Sequence, residues 1–181
     1  MKIAWGVTGS GDKFRETYTV MRELKEKHQD ELTIHVYMSK AGILVAKYYK
    51  LTDELKRFGK FYVEENANTP FLAGMLQTKR YDLLLIAPAT SNTVAKIVVG
   101  ISDTLLTNAA VQGVKGYTPV YIMPVDYREG TTTTVLPNGK ELKLKVRKED
   151  ADNVRLLEKM EGFNVFEKPE EIREILEKML R

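Results

Sequence analysis

Residues 83–108 read LLLIAPATSNTVAKIVVGISDTLLTN, and this stretch decides the fold. Leu83-Leu84-Leu85-Ile86-Ala87 is an unbroken apolar run, which suits a strand buried on both faces in the middle of a parallel sheet. At Pro88 the character changes. Ala89, Thr90, Ser91, Asn92 and Thr93 are small or hydrogen-bonding, and a helical pattern follows from Val94. In an open α/β sheet, ligands bind where strands end and helices begin. The loop offers backbone N–H groups, hydroxyls and one amide there. It has no strong base, no thiol and no metal-ligand cluster. Such residues suit a loop that holds a cofactor and leaves the chemistry to it.

Outward from this stretch, strands and helices alternate. Lys2 to Val7 reads as a first strand, then Gly6-Val7-Thr8-Gly9-Ser10-Gly11, then an amphipathic helix from about Phe14 to Lys27. A strand, a Gly-rich turn and a helix N-terminus together make an anion site. The turn is no P-loop, because Gly-Lys-Ser/Thr is missing. It is a partial dinucleotide fingerprint, with Phe14 where the third glycine belongs. The second strand, Leu32 to Met38, ends in Ser39-Lys40 rather than in the Asp or Glu that would hold ribose hydroxyls. A hydroxyl and a lysine suit a phosphate, so the two strand ends favour a mononucleotide. The same glycines also suit a plain tight turn.

Helices are expected at Ala41 to Lys50, from Thr52 as a cap to Arg57, and at Phe71 to Gln77, with a short strand at Phe61-Tyr62-Val63. After the central loop a helix runs to about Val99 and Gly100 ends it. Ser102 or Asp103 then suits the N-cap of a helix from Thr104 to Gln112. Pro119 to Met123 is the next strand. It leads to Asp126, Tyr127 and Arg128, the candidate contacts for a substrate or partner at the functional edge. Thr131 to Val135 and Lys140 to Arg147 flank Leu136-Pro137-Asn138-Gly139, a strong hairpin signal. On the second arm Leu142, Leu144 and Val146 alternate with Lys143, Lys145 and Arg147, which gives one apolar and one basic face. A helix over Glu149 to Met160, a strand over Phe163 to Phe166 and a helix over Pro169 to Leu180 complete the chain. The expected architecture is a doubly wound parallel sheet, Rossmann-like or flavodoxin-like, in one domain over 1–181 with a hairpin arm at about 131–147.

Composition closes off several chemistries. There is no cysteine, so disulfides, thiolate catalysis and cysteine-ligated clusters are excluded. With only two histidines, His28 and His35, a histidine-rich metal site is also out, and no metal is expected. The net charge of +3 does not argue for nucleic acid. No apolar run reaches the roughly 20 residues of a membrane span. The N-terminus lacks a secretory signal, so a cytoplasmic location is expected.

Gly6-Val7-Thr8-Gly9-Ser10, Ser39, Pro88-Ala89-Thr90-Ser91-Asn92-Thr93 and Gly100-x-x-Asp103-x-Leu105, in that order and spacing, resemble the homo-oligomeric FMN-binding flavoproteins. That family includes the cysteine decarboxylases of coenzyme A and lantibiotic synthesis and the flavin prenyltransferases. The resemblance implies an FMN site. The backbone of Thr8, Gly9 and Ser10 and the Ser39 hydroxyl would hold phosphate, and Ala89, Thr90, Ser91, Asn92 and Thr93 would hold phosphate and ribityl, with Asn92 near the isoalloxazine ring. Ser102 and Asp103 belong to the same implied site. A trimer, or a shell built from trimers, is implied as well.

The chain departs from the decarboxylases where their reaction is chosen. Gly74-Met75-Leu76-Gln77 carries no histidine, and Met123-Pro124-Val125-Asp126-Tyr127-Arg128 replaces the Pro-Ala-Met-Asn-x-x-Met-Trp clamp. The Val125-Asp126 turn, the Pro-Asn-Gly hairpin and Arg147-Lys148-Glu149-Asp150 look most like a narrower branch, that of archaeoflavoprotein and the dihydromethanopterin reductases. That resemblance implies an FMN redox protein passing electrons from ferredoxin to a protein acceptor. Its alternative is a reductase of dihydromethanopterin or a related pterin.

Overall fold

The computed structural model describes residues 1–180. A six-stranded sheet runs in the order β3-β2-β1-β4-β5-β8, and each neighbouring pair is parallel. Its strands are β1 (Lys2–Val7), β2 (Thr33–Met38), β3 (Phe61–Val63), β4 (Leu83–Ala89), β5 (Val120–Pro124) and β8 (Phe163–Val165). The doubly wound α/β sheet read from the sequence is the one observed.

Alternate strand residues feed two separate cores. Ile3, Trp5, Leu83, Leu85 and Ala87 pack on the side of α1 (Phe14–Lys27), α2 (Lys40–Tyr48), α3 (Thr52–Lys56) and α8 (Glu171–Leu180). Ala4, Leu84, Ile86, Val120 and Ile122 pack on the side of α4 (Leu72–Gln77), α5 (Ser91–Val98), α6 (Leu105–Lys115) and α7 (Lys148–Glu158). Every residue of β4 is buried, as its unbroken apolar run requires. The buried Trp5 indole N–H donates to the Ala87 carbonyl at 2.7 Å, which settles its one polar atom.

The elements differ from the sequence expectation at their ends. β4 runs on through Pro88 and Ala89, because its pairing with β5 shifts register between Ile86 and Ala89, where a missing N–H costs no ladder bond. Thr90 caps α5, so that helix begins at Ser91 rather than Val94. Neither Ser102 nor Asp103 caps α6. Thr104 does, in a reciprocal box with Thr107. Thr52 is the first residue of α3 rather than its cap, and its buried hydroxyl has no partner.

The hairpin forms as β6 (Gly130–Val135) and β7 (Glu141–Val146), antiparallel, with Thr132 opposite Leu144 and Thr134 opposite Leu142. The Gly139 N–H closes the turn on the Leu136 carbonyl, and Gly139 takes the left-handed backbone the turn needs, with φ +80°. Among the described residues no helix is long and apolar enough to cross a membrane.

Candidate functional site

The chain leaves β1 toward β2 and β3, then returns to place β4 on the other side of β1. The C-terminal ends of β1 and β4 therefore border the switch point where doubly wound sheets open a crevice. Thr8 holds this crevice together. Its hydroxyl donates to the Pro88 carbonyl at 2.8 Å and accepts the Thr90 N–H at 2.9 Å, and its own N–H reaches the same carbonyl at 3.3 Å. Both polar groups of Thr8 are thus spent on fixing the two loops to each other.

The glycines of the first turn serve packing. A Cβ on Gly9 would lie 2.6 Å from the Ala41 Cβ, and one on Gly11 would lie 2.3 Å from the Tyr49 hydroxyl. A Cβ on Gly42 would lie 2.4 Å from the Val7 carbonyl oxygen. So α2 sits directly against the end of β1, closer than any side chain would permit.

Two cavities meet at the crevice and share Gly9, Thr90 and Asn92. The first, of about 490 Å³, also touches Ser39, Lys40, Thr93 and Asp103. Among the described hydrogen bonds the N–H groups of Gly9, Ser10, Ser91 and Asn92 have no acceptor. The last two open α5, where the helix dipole favours an anion. The Ser39 hydroxyl accepts the Gly42 N–H at 2.9 Å and keeps its own proton to donate. Free N–H donors, a hydroxyl and a helix start form a cradle that fits a phosphate group.

A buried carboxylate closes the far side of this cavity. Glu64, just after β3, accepts the Lys40 N–H and the Leu105 N–H, each at 3.0 Å. One side chain thus satisfies the first turns of both α2 and α6. Lys96 pairs with both Asp103 oxygens at 2.8 Å, so that lysine is already neutralised.

The second cavity, of about 480 Å³, lies between α2, the hairpin and the loop after β5. Tyr48, Leu142 and Leu144 give it apolar walls, and each of them remains partly exposed. Tyr49 links α2 to the hairpin, with its hydroxyl donating to the Val135 carbonyl at 3.3 Å. Two carboxylates face the same space, Asp12 and Asp126. The Ser91 hydroxyl donates to Asp126 Oδ2. Asp12 Oδ2 is buried with no hydrogen-bond partner. Burial, aided by the nearby Glu16 and Asp126 charges, holds the Asp12 carboxyl above the usual carboxylate range, against the opposing pull of Lys13.

Of the residues singled out in the sequence, the crevice brings together Thr8, Gly9, Ser10, Ser39, Thr90, Ser91, Asn92, Thr93, Asp103 and Asp126. Ala89 is wholly buried in β4, and Ser102 lines neither cavity. Tyr127 and Arg128 turn away. The Tyr127 hydroxyl donates to Glu158, and Arg128 forks onto Glu167 at 2.9 and 2.7 Å. Both histidines also lie elsewhere. His28 ends α1, and His35 Nδ1 lies 2.7 Å from the Tyr81 hydroxyl inside the fold. Among the described residues no group of side chains could hold a metal ion.

Glu64, Asp12, Leu142 and Leu144 were not singled out in the sequence as site residues. An acid directly after an edge strand and an acid inside a Gly-rich turn were the visible signals for the first two.

This geometry defines a doubly wound α/β protein with a phosphate cradle and an adjoining ring-sized space at its switch point. The family model described as Flavoprotein matches residues 1–176, and the chain belongs to that family. It is 49% identical over 177 residues to an uncharacterized protein of Methanocaldococcus jannaschii, covering 97% of this chain and 94% of that one. It is 35% identical to the dihydromethanopterin reductase (acceptor) of the same organism, over 96% of this chain and 95% of that protein. Among solved structures it is similar to Burkholderia xenovorans DmrB, solved with FMN and described as a cubic protein cage for redox transfer. That match has 30% identity and a TM-score of 0.83, over 99% of this chain and 94% of that one.

Proposed function

We propose that this protein binds FMN and uses it to reduce a dihydropterin of the dihydromethanopterin class. The observation that carries this reading is the second cavity. The phosphate cradle lies on one side of Thr90 and Asn92, and about 480 Å³ of partly apolar space lies on the other. That volume falls in the range of small-molecule sites. FMN supplies two-electron chemistry when bound. The chain's own residues hold its phosphate at Ser39 and at the free N–H groups of Gly9, Ser10, Ser91 and Asn92. They line the ring side with Tyr48, Leu142 and Leu144.

The 35%-identical reductase, matched nearly end to end, supports a small-molecule acceptor. A second reading, electron transfer from ferredoxin to a protein acceptor, is favoured by the partial exposure of the cavity walls, which would leave a ring edge near the surface. In the carrier reading ferredoxin or another redox protein is the proposed electron source, and reduction by NAD(P)H instead would favour the reductase. The relative described as a cage supports a homo-oligomer. Decarboxylation has no support from the site, because no histidine lines either cavity.

The test is a visible spectrum of the purified protein with FMN, then anaerobic reduction with ferredoxin or with NAD(P)H, then addition of dihydromethanopterin. The expected result is a yellow protein whose reduced flavin is reoxidised by dihydromethanopterin. A colourless protein that takes up no FMN would overturn the cofactor. Reoxidation by a protein acceptor alone would favour the carrier.

A further inference from the structure

We propose that Asp12 is the proton-transfer residue of this site, giving a proton to the ring nitrogen of a substrate as the adjacent carbon accepts a hydride. The inference rests on the reductase reading above. It begins from a buried carboxylate oxygen that no hydrogen bond of the fold occupies. Asp12 sits in the turn between β1 and α1 and lines the cavity beside Tyr48 and Asp126. Its Oδ2 is shielded from water and has no hydrogen-bond partner among the described residues. A buried carboxylate oxygen without a partner costs free energy, so its retention at a cavity wall calls for a ligand group or a proton.

The groups around it set its chemistry. From α1 and its N-cap come Glu16, which disfavours the charged form, Lys13, whose charge and backbone N–H favour it, and Arg15, which lines a neighbouring cavity with Asp12 and donates to the Tyr49 carbonyl. The Lys13 ammonium is turned aside, donating to the Glu167 carbonyl at 2.9 Å. From α2 comes the uncharged Tyr49, and from the loop after β5 comes Asp126. The neighbouring hairpin residues Thr133, Thr134, Leu136 and Pro137 bring no charge. Burial outweighs the Lys13 charge and backbone N–H, so Asp12 holds its proton to a higher pH than a solvated carboxyl would. A group that keeps its proton closer to neutrality is the better general acid. Asp126 is the poorer candidate, because it already accepts the Ser91 hydroxyl proton.

The step balances without any further reagent. Reduction of a C=N bond adds a hydride to carbon and a proton to nitrogen. The hydride, with its electron pair, comes from reduced flavin, which is left oxidised. The proton comes from the Asp12 carboxyl, which is left as carboxylate and is refilled from water.

The experiment compares the FMN-loaded protein with D12N and D12E. Infrared difference spectra against pH come first, without substrate. A carboxylic acid band that titrates above the ordinary Asp range (about 3.9) and vanishes in D12N supports the proposal. A spectrum that D12N leaves unchanged overturns it. Single-turnover reoxidation by dihydromethanopterin comes second. D12N should slow it about 100-fold or more, and D12E should recover part of the rate, with FMN affinity changed less than about threefold. A D12N protein with the wild-type rate and pH profile overturns the proposal. If dihydromethanopterin leaves the wild-type flavin reduced at every pH, the reductase reading fails. Asp12 is then judged by the infrared band and by the pH dependence of the flavin midpoint potential, which D12N must still alter.

Discussion

The Thr8 hydroxyl lies 2.8 Å from the carbonyl oxygen of Pro88 and joins the ends of β1 and β4 across 80 positions of sequence. The bond turns the end of β4 toward β1 just where β4 loses register with β5. It therefore fixes where α5 starts and where the free N–H groups of Ser91 and Asn92 point. Removing it leaves the Thr90 N–H without its side-chain acceptor, since that N–H bonds to the same hydroxyl. The isosteric change Thr8→Val is expected to cost about 1–3 kcal/mol of stability, the usual penalty for an orphaned buried polar group. FMN binding should weaken about tenfold, as a loss of roughly 1.4 kcal/mol at the cradle would give. Thr8→Ser should retain most of both. Denaturant melts and FMN titrations check this, and a Thr8→Val protein with wild-type affinity would remove Thr8 from the cradle's support.

Glu64 makes the corresponding connection on the far side. Its two oxygens serve one N–H each, on α2 and on α6. Glu64→Ala orphans both donors and is expected to cost about 2–5 kcal/mol. Glu64→Gln keeps one acceptor and sets an amide N–H₂ against the other donor, so about 1–3 kcal/mol is expected. Equilibrium unfolding orders the two variants. Equal losses would mean that the single acceptor kept by Gln holds neither helix start.

The β2 histidine gives an acid-dependent term whose sign is fixed. Burial lowers the His35 pKa from its ordinary value, and the Lys2 and Lys60 charges lower it further. The unfolded chain therefore takes up a proton near pH 6.5 while the folded chain does not. Stability falls as pH drops below about 6.5 and levels off once the pH passes the lower folded value. His35→Phe should remove this slope and lose the bond to the Tyr81 hydroxyl. Melting temperatures of both proteins between about pH 7 and 4 are the measurement, and parallel curves would show that His35 contributes no such term.

Arg128 and Ser91 should behave oppositely although both follow strand ends. Arg128 is largely exposed and pairs outward with Glu167. Its replacement by Ala should change FMN affinity less than about twofold, as for most exposed ion pairs. Ser91 donates to Asp126 inside the crevice. Ser91→Ala leaves that carboxylate short of a donor in the cavity proposed for the ring, and an affinity loss of about three- to tenfold is expected. The same FMN titration reads both. A larger loss in Arg128→Ala would place the arginine at the cofactor after all.

How much of this was legible in the sequence depends on the range of the interaction. The apolar run of β4 and the Thr90-Ser91-Asn92 loop were visible because strand burial and helix starts leave local patterns. The parallel order followed from the alternation of strands and helices. Tyr127 and Arg128 were expected at the functional edge from their place after β5. Their partners, Glu158 and Glu167, lie 31 and 39 residues away, and no local pattern announces such pairings. The resemblance implies phosphate contact for the Thr8-Gly9-Ser10 backbone, and no local pattern shows that the Thr8 hydroxyl and N–H both reach the Pro88 carbonyl 80 positions away. Asp12 and Glu64 show in the sequence only as acids beside a Gly-rich turn and an edge strand, and their burial is a property of the assembled layers.

The first glycine turn offers the sharpest test of packing against ligand contact. A Cβ on Gly9 would sit 2.6 Å from the Cβ of Ala41, well inside contact distance. Gly9→Ala must therefore push α2 off the end of β1, at an expected cost of about 1–3 kcal/mol. Ser39 caps that same helix, so its hydroxyl should move with it and FMN affinity should drop as well. Ala41→Gly alone should cost only about 0.5–1 kcal/mol, the usual helix penalty. In the double variant Gly9→Ala/Ala41→Gly the overlapping carbon is gone, and the nearest remaining atoms lie 3.4 and 3.5 Å away. The pair should then couple favourably by about 1 kcal/mol or more, and FMN affinity should recover. Denaturant midpoints and FMN titrations on all four proteins close the cycle. Simple additivity would mean that Gly9 is needed for the ligand's approach rather than for the helix.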